Sequence, residues 1–164
     1  MSTLSVDTIT GQTTAANLKL PAGYVIQTVN AENDVSTSTS STSFVATNIA
    51  ATITPKFATS KILVICQCAL RQTTGTNNGS SVRAQIHRGT TAIGQRTEMG
   101  TREIAGTNNT DYVQGTFILQ VLDNPNTTSA TTYTIYIDCL NSAVSANVNH
   151  NTSGSTMTLM EIAQ

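Results

Sequence analysis

The chain reads as an all-β protein: an antiparallel β-sandwich, jelly-roll-like, of about eight to ten strands, preceded by an extended amino-terminal arm. Three observations carry that reading. Apolar residues come in short runs that alternate with polar ones, the period of a half-buried strand. Turn residues interrupt those runs at the spacing typical of a sandwich or barrel. No stretch holds apolar residues at i, i+3, i+4 and i+7 between helix caps.

Residues 1–22 form a polar arm with isolated apolar residues at Leu4, Val6, Ile9, Leu18 and Leu20. Leu4 alternates with Val6 and Leu18 with Leu20, so short extended pieces are expected. Pieces so sparse bury little by themselves and need a partner surface to become ordered. Pro21 and Gly23 then punctuate the chain, and residues 23–164 form the head domain.

The first strand of the head runs from Tyr24 to Val29, and the serines and threonines from Ser36 to Ser43 form a loop. FVATNIAATI (44–53) is one longer bent strand or two short ones, stopped by Pro55. KILVICQCAL (61–70) is the most apolar segment. Ile62, Val64, Cys66, Cys68 and Leu70 share one face, and Leu63, Ile65 and Ala69 share the other. A strand apolar on both faces is covered on both. The second sheet is one cover, and a neighbouring subunit is expected as the other. Leu63 and Ile65 therefore join Leu4, Val6, Ile9, Leu18 and Leu20 as candidate subunit-interface residues.

Val82, Ala84 and Ile86 alternate with Arg83, Gln85 and His87, with Arg88-Gly89 as the following turn. TTAIGQRTEM (90–99) returns as a hairpin, and residues 101–111 are a polar loop. Val113, Phe117, Leu119 and Val121 mark the inner face of a long strand. After the PNTTSA turn, Tyr133, Ile135, Ile137 and Cys139 mark the next. Val144 to Val148 is a short strand. In the closing STMTLMEIA, either Met157 and Leu159 or Met160 and Ile162 face inward.

Composition bounds the function. At 164 residues the chain is one domain. Only 10% of its residues are charged, against about a quarter in an ordinary domain, and threonine makes up about a fifth. Hydroxyls and amides cover the surface in place of charge, the composition of a protein that stands in an assembly. The 38% hydrophobic content allows one lean core, a shortage that oligomerisation often offsets. A net charge of −1 with scattered basic residues argues against nucleic acid, which takes clustered Lys and Arg. The apolar run from Ile62 to Leu70 is too short to cross a bilayer, so no membrane insertion is expected. The first ten residues have neither the basic start nor the apolar centre of a secretory signal, which implies assembly in a cytosol.

The phrase VDTI followed by Gly11, leading to PAGYVIQ (21–27), resembles the opening of virion proteins of tailed phages, especially phages of aquatic bacteria and cyanobacteria. ATITPKFATSKILV, RGTTAIG, TTYTIYIDCLNS and STMTLMEIA resemble later phrases of the same group, in order, over much of the chain. The resemblance implies a fibre-tip or fibre-like structural protein, trimeric, with a β-sandwich head and no catalytic motif. The longer members carry shaft segments before the head, and this chain has only the short arm. That implies a compact knob, at a tail appendage or on the capsid surface, assembled in the host cytoplasm and carried on the virion.

Chemistry-bearing constellations are few. Cys66 and Cys68 lie two apart on one strand face, where a mutual bridge is strained. A bridge from either to Cys139 remains open at this level beside reduced core thiols, which behave as small hydrophobes. Cys-x-Cys lacks zinc-knuckle spacing and His87 and His150 are isolated, so no metal or cofactor is expected. No G-x-S-x-G elbow singles out a nucleophile, and the carboxylates are dispersed, so an enzyme is not expected. The polar loops 71–81, 96–112 and 147–155 carry the candidate contact residues: Arg71, Asn77, Asn78, Arg96, Arg102, Asn108, Tyr112, Asn149 and His150. Amides, hydroxyls and a few Arg and Tyr groups suit sugar hydroxyls or a protein surface, and Tyr112 and Arg102 lead the set. The function expected is binding: a trimeric tail-fibre or fibre-tip knob whose arm docks on other virion proteins and whose loops hold a host glycan or protein. Capsid decoration is the alternative, and a glycan-active enzyme or lectin the alternative of another class.

Overall fold

Alternation at period two sorts the apolar residues onto two inward faces. In the computed structural model, which describes residues 21–74, 80–100 and 112–164, those faces close on each other. The strands are β1 (Val25–Asn33), β2 (Thr37–Thr39), β3 (Val45–Ile53), β4 (Lys61–Thr74), β5 (Ser81–Arg88), β6 (Thr91–Ala92), β7 (Thr97–Gly100), β8 (Tyr112–Asp123), β9 (Thr131–Cys139), β10 (Val144–Val148) and β11 (Ser155–Ile162). A single 3-10 turn, His150–Thr152, precedes β11.

The first sheet runs β1-β11-β4-β8, and β10 with β2 continue it beside the far half of β4, beyond β11. The second runs β3-β9-β5-β7, with β6 against the other end of β5. Every pairing is antiparallel. The four-stranded cores of the six- and five-stranded sheets, β1-β11-β4-β8 and β3-β9-β5-β7, joined by connections that cross between them, make a jelly roll. The arm residues Leu4, Val6, Ile9, Leu18 and Leu20, and the loop residues Asn77, Asn78, Arg102 and Asn108, lie outside the described residues.

β4 is the strand on which the first sheet is built. Its edges pair with β8 over Ile62–Thr73 and with β11 and then β10 over Lys61–Gln67 and Leu70–Thr74. Ile62, Val64, Cys66, Cys68 and Leu70 point inward and are buried with Val82, Ala84 and Ile86 of β5 and Tyr133, Ile135 and Ile137 of β9. Leu63, Ile65 and Ala69 point outward and are half-buried. Segment 44–53 is one strand kept continuous across a bulge between Ala46 and Ala50. The Thr47 hydroxyl donates to the Ile135 carbonyl at 2.8 Å there, covering a group the bulge would otherwise leave bare.

Several sequence expectations are corrected. The loop assigned to Ser36–Ser43 contains β2, because β10 offers Thr37–Thr39 an edge. Arg71 and Tyr112 lie on strands: β4 continues to Thr74, and β8 starts at Tyr112. Val113 is on the inner side by register, opposite Gln72, yet is 37% exposed at the rim of the core. On β11 the inward pair is Met157 and Leu159, followed by the fully buried Glu161.

Glu161 is the polar stitch of the structure. It accepts from the Gln27 side-chain amide at 2.6 Å and from the backbone N–H groups of Lys56 at 2.8 Å and Phe57 at 3.2 Å. Burial alone would push its pKa up, but these donors outweigh it and hold the carboxyl below its ordinary range. One side chain thus ties β1 and the turn after Pro55 to β11. The thiols of Cys66, Cys68 and Cys139 are free and buried. Burial raises the Cys66 thiol far above its ordinary value and pushes Cys68 up to about 12.

Three outcomes follow from these groups. Because the folded carboxyl is the stronger acid, its stabilisation is complete above the unfolded pKa, about 4.3, and is lost as pH falls through the folded value. Thermal melts between about pH 5 and pH 3 should therefore fall less steeply for Glu161→Gln than for the parent. Glu161→Ala, which removes the shared acceptor of three part-buried donors and empties a buried site, should lose on the order of 1–3 kcal/mol in urea unfolding at neutral pH. The three thiols should resist iodoacetamide at pH 8 until the chain is unfolded, and labelling of the native protein would contradict their burial.

Candidate functional site

The outer faces of the two sheets differ. On the second sheet, outward side chains close over one another. Arg83 makes a two-pronged ion pair with Asp138, which is almost fully buried, and its guanidinium lies over the Phe44 ring. His87 stacks on Tyr136 at 3.9 Å between centroids, with Phe44 on its other side. That face is already covered by its own groups.

The first sheet leaves its outer face open, and register divides it into two zones. Toward the Lys61 end, Met160, Leu63 and Leu122 stand in one row across β11, β4 and β8. Ile65 follows in the next outward row and Ile118 in the one after. Ile118 is 71% exposed and Leu122 is 52% exposed. Their neighbours within these rows, Thr28, Asn30, Thr158, Gln67 and Gln120, are uncharged, and the charged residues Lys61 and Glu32 stand at the margins, Lys61 in the row beyond Leu63 and Glu32 in the row of Ile118. Leu63 and Ile65, singled out as interface candidates, thus share an apolar zone with three residues the sequence reading placed elsewhere or passed over. Cross-strand register joins them, and a single strand's pattern cannot reveal that.

Toward the Arg71 end the same face becomes a polar cleft of about 300 Å³. Its walls come from Ala69–Arg71 on β4, Gln114–Thr116 on β8, and His150, Asn151 and Ser153 at the turn before β11. Arg71 is opposite Gln114 in the ladder, and its guanidinium lies over the Tyr112 ring, 4.5 Å from the centroid. Its Nη1 sits 2.7 Å from Nδ1 and 2.8 Å from Nε2 of His150. Its Nε is buried without a hydrogen-bond partner, and among the described residues no carboxylate pairs with it. Tyr112 is 60% exposed. The fold therefore gathers Arg71, Tyr112 and His150, candidates drawn from three separate segments, into one site.

Two other candidates are not part of it. Arg96 is exposed on the link between β6 and β7, at the edge of the second sheet. Asn149 is 1% exposed and serves the structure itself. Its amide donates to the Asn33 carbonyl at 2.9 Å and to Val35 O at 3.3 Å, and its Oδ1 accepts from the Ser155 hydroxyl at 2.6 Å. The backbone there is left-handed, at φ 54° and ψ 39°, a conformation Asn tolerates better than most residues. Asn149 is thus the bracket that positions the His150 turn, and its contact role is withdrawn. No three His, Cys, Asp or Glu side chains converge on a metal-sized site among the described residues.

No family profile and no curated protein matches the chain. Among solved structures it is similar to the VP2 subviral particle of infectious bursal disease virus, with 12% identity and a TM-score of 0.35. That match covers 85% of this chain and 38% of the other. A structure of the Gx strain of the same virus gives 10% identity and a TM-score of 0.33, over 84% of this chain and 40% of the other. The chain thus spans about two-fifths of the length of those proteins. The jelly-roll assignment stands on the strand pairing described above.

Asn149→Ala should destabilise the fold by about 2–4 kcal/mol, from orphaned buried partners and an alanine forced to positive φ. Arg71→Ala should stay within about 1 kcal/mol, because it removes a half-buried group with no ionic partner among the described residues. Urea titrations of the two variants check the contrast. Equal losses would mean that the cleft, too, is a structural element.

Proposed function

We propose that this chain is a virion surface protein, a trimeric knob of a tailed-phage tail appendage, that acts by binding and performs no chemistry. One structural observation carries the reading: the exposed apolar zone of Met160, Leu63, Ile65, Leu122 and Ile118, on a sheet whose edge strand β8 has no further strand beside it among the described residues. Exposed apolar zones of this kind mark association surfaces. Its occupant is a second copy of the chain. The two charges that flank the zone, Lys61 and Glu32, are opposite in sign and cancel, so a second copy meets no net like-charge repulsion, and edge strands add further strands readily.

The arm supplies the remaining contacts. Described residues begin at Pro21, and Gly23 N–H donates to the Ala163 carbonyl at 2.9 Å, so the arm joins beside the apolar zone. Leu4, Val6, Leu18 and Leu20 then extend onto a neighbouring subunit or onto the virion protein that carries the knob, where main-chain pairing asks little of side chains. From that pole, ten residues of β4 at about 3.3 Å each place Arg71 roughly 33 Å away. Attachment at one pole leaves the cleft at the other free to face the host surface. Threefold repetition makes weak contacts there effective through avidity. The ordered resemblance of VDTI, PAGYVIQ, TTYTIYIDCLNS and STMTLMEIA to tailed-phage fibre-like proteins supports the same reading.

At micromolar concentration the purified chain should sediment at three times its 17.2 kDa mass. The Leu122→Asp, Met160→Asp double variant should sediment as a folded single chain. A monomeric parent would overturn the trimer. Gold-labelled antibody on intact particles should mark the tail appendage, and label spread over the capsid would move the knob to a decoration role.

A further inference from the structure

We infer that the Arg71 cleft is a binding site for a single carboxylate-bearing sugar unit, a uronic acid or a related acidic residue of a polysaccharide. The inference rests on the surface-binding reading and names the ligand class that reading leaves open.

Each wall of the cleft supplies one part of that chemistry. Arg71 is the one cationic side chain among the residues lining it. It has no carboxylate of its own among the described residues, and a buried Nε–H without a partner. A guanidinium is a planar fork matched to a carboxylate, and it retains its charge at any relevant pH. Tyr112 holds the fork from one side at 4.5 Å, so the guanidinium is oriented before a ligand arrives. The exposed part of the Tyr112 ring offers an apolar platform of the kind that suits the C–H face of a pyranose. Gln114, Thr116 and Ser153 bring an amide and two hydroxyls to the same space, a set suited to sugar hydroxyls.

Charge count selects among anions. A phosphate ester approaches two negative charges at neutral pH, and its sites gather several cations or a row of backbone N–H groups. One guanidinium among neutral groups balances one negative charge. The volume of about 300 Å³ is at the small end for ligand sites, which fits one saccharide unit of a chain that continues outside. The chain's net charge of −1 gives no long-range attraction for a polyanion. Selectivity therefore has to come from contact within the cleft, where Arg71 is decisive.

The test is isothermal titration of the intact protein with sodium glucuronate, with glucose as the neutral match, and with oligogalacturonate and dextran as the polymer pair. Glucuronate should bind with a Kd on the order of 1 mM, at least about tenfold tighter than glucose. The oligogalacturonate should bind more tightly per molecule through the repeated sites. Arg71→Ala should abolish the preference for the acid over glucose, and Arg71→Lys should recover only part of it. Tyr112→Ala should weaken both sugars. Each variant is sedimented in parallel, so that a failure of assembly is distinguished from a failure of the cleft. Equal binding of glucose and glucuronate, an acid preference that survives Arg71→Ala, or no heat from either acidic probe at about 10 mM would overturn the assignment. A response to the free monosaccharide but not to the polymer would overturn it for a polysaccharide.

Discussion

Everything in this molecule takes its position from the double pairing of β4. Fourteen residues are held on one edge by β8 and on the other by β11 and β10 in turn. A strand fixed on both edges cannot slip, because a shift of one residue would move every inward side chain to the outer face. Once Ile62, Val64, Cys66 and Cys68 are committed to the core, Leu63, Ile65 and Arg71 are committed to the outside. The core and the exposed outer face are two readings of one register.

That register also explains what the sequence could and could not reveal. Alternation showed strands from Lys61 to Leu70, Val82 to Ile86 and Tyr133 to Cys139, since each buries one face and signals it locally. A jelly-roll-like sandwich was legible from their number and spacing. The exact partners were not, because pairing is non-local and the alternating segments resemble one another. On β11 the two candidate faces were equally apolar by pattern. The inward face carries Glu161, a residue that by pattern belongs outside, and its burial is compensated by donors from Gln27, Lys56 and Phe57, far away in the chain.

The candidate site was half legible. Arg71, Tyr112 and His150 were chosen because they stand out in polar segments, and the fold brings all three together. The choice placed them on loops, where polar residues cluster, whereas two sit on strand ends. Asn149 shows the opposite error. Its neighbours His150 and Asn151 face the cleft, and nothing in an NVNHN string distinguishes a surface amide from a buried bracket. Leu122, Ile118 and Met160 became a patch only when three strands were laid side by side.

The scarcity of charge has a consequence for the medium the protein can inhabit. The fold contains two ion pairs among its described residues, both joined to carboxylates at or near full burial, where dissolved ions screen poorly. The rest of the stability comes from apolar contact, neutral hydrogen bonds and the buried Glu161 carboxylate with its neutral donors, which simple salt at ordinary strength barely alters. Fresh water and brine should therefore look much alike to this domain, as they would not to a protein kept soluble by a dense coat of Lys and Glu. The exception is the guanidinium of Arg71, which no carboxylate among the described residues neutralises and which a small anion from the medium can approach. Salinity would tune the grip and leave the scaffold untouched.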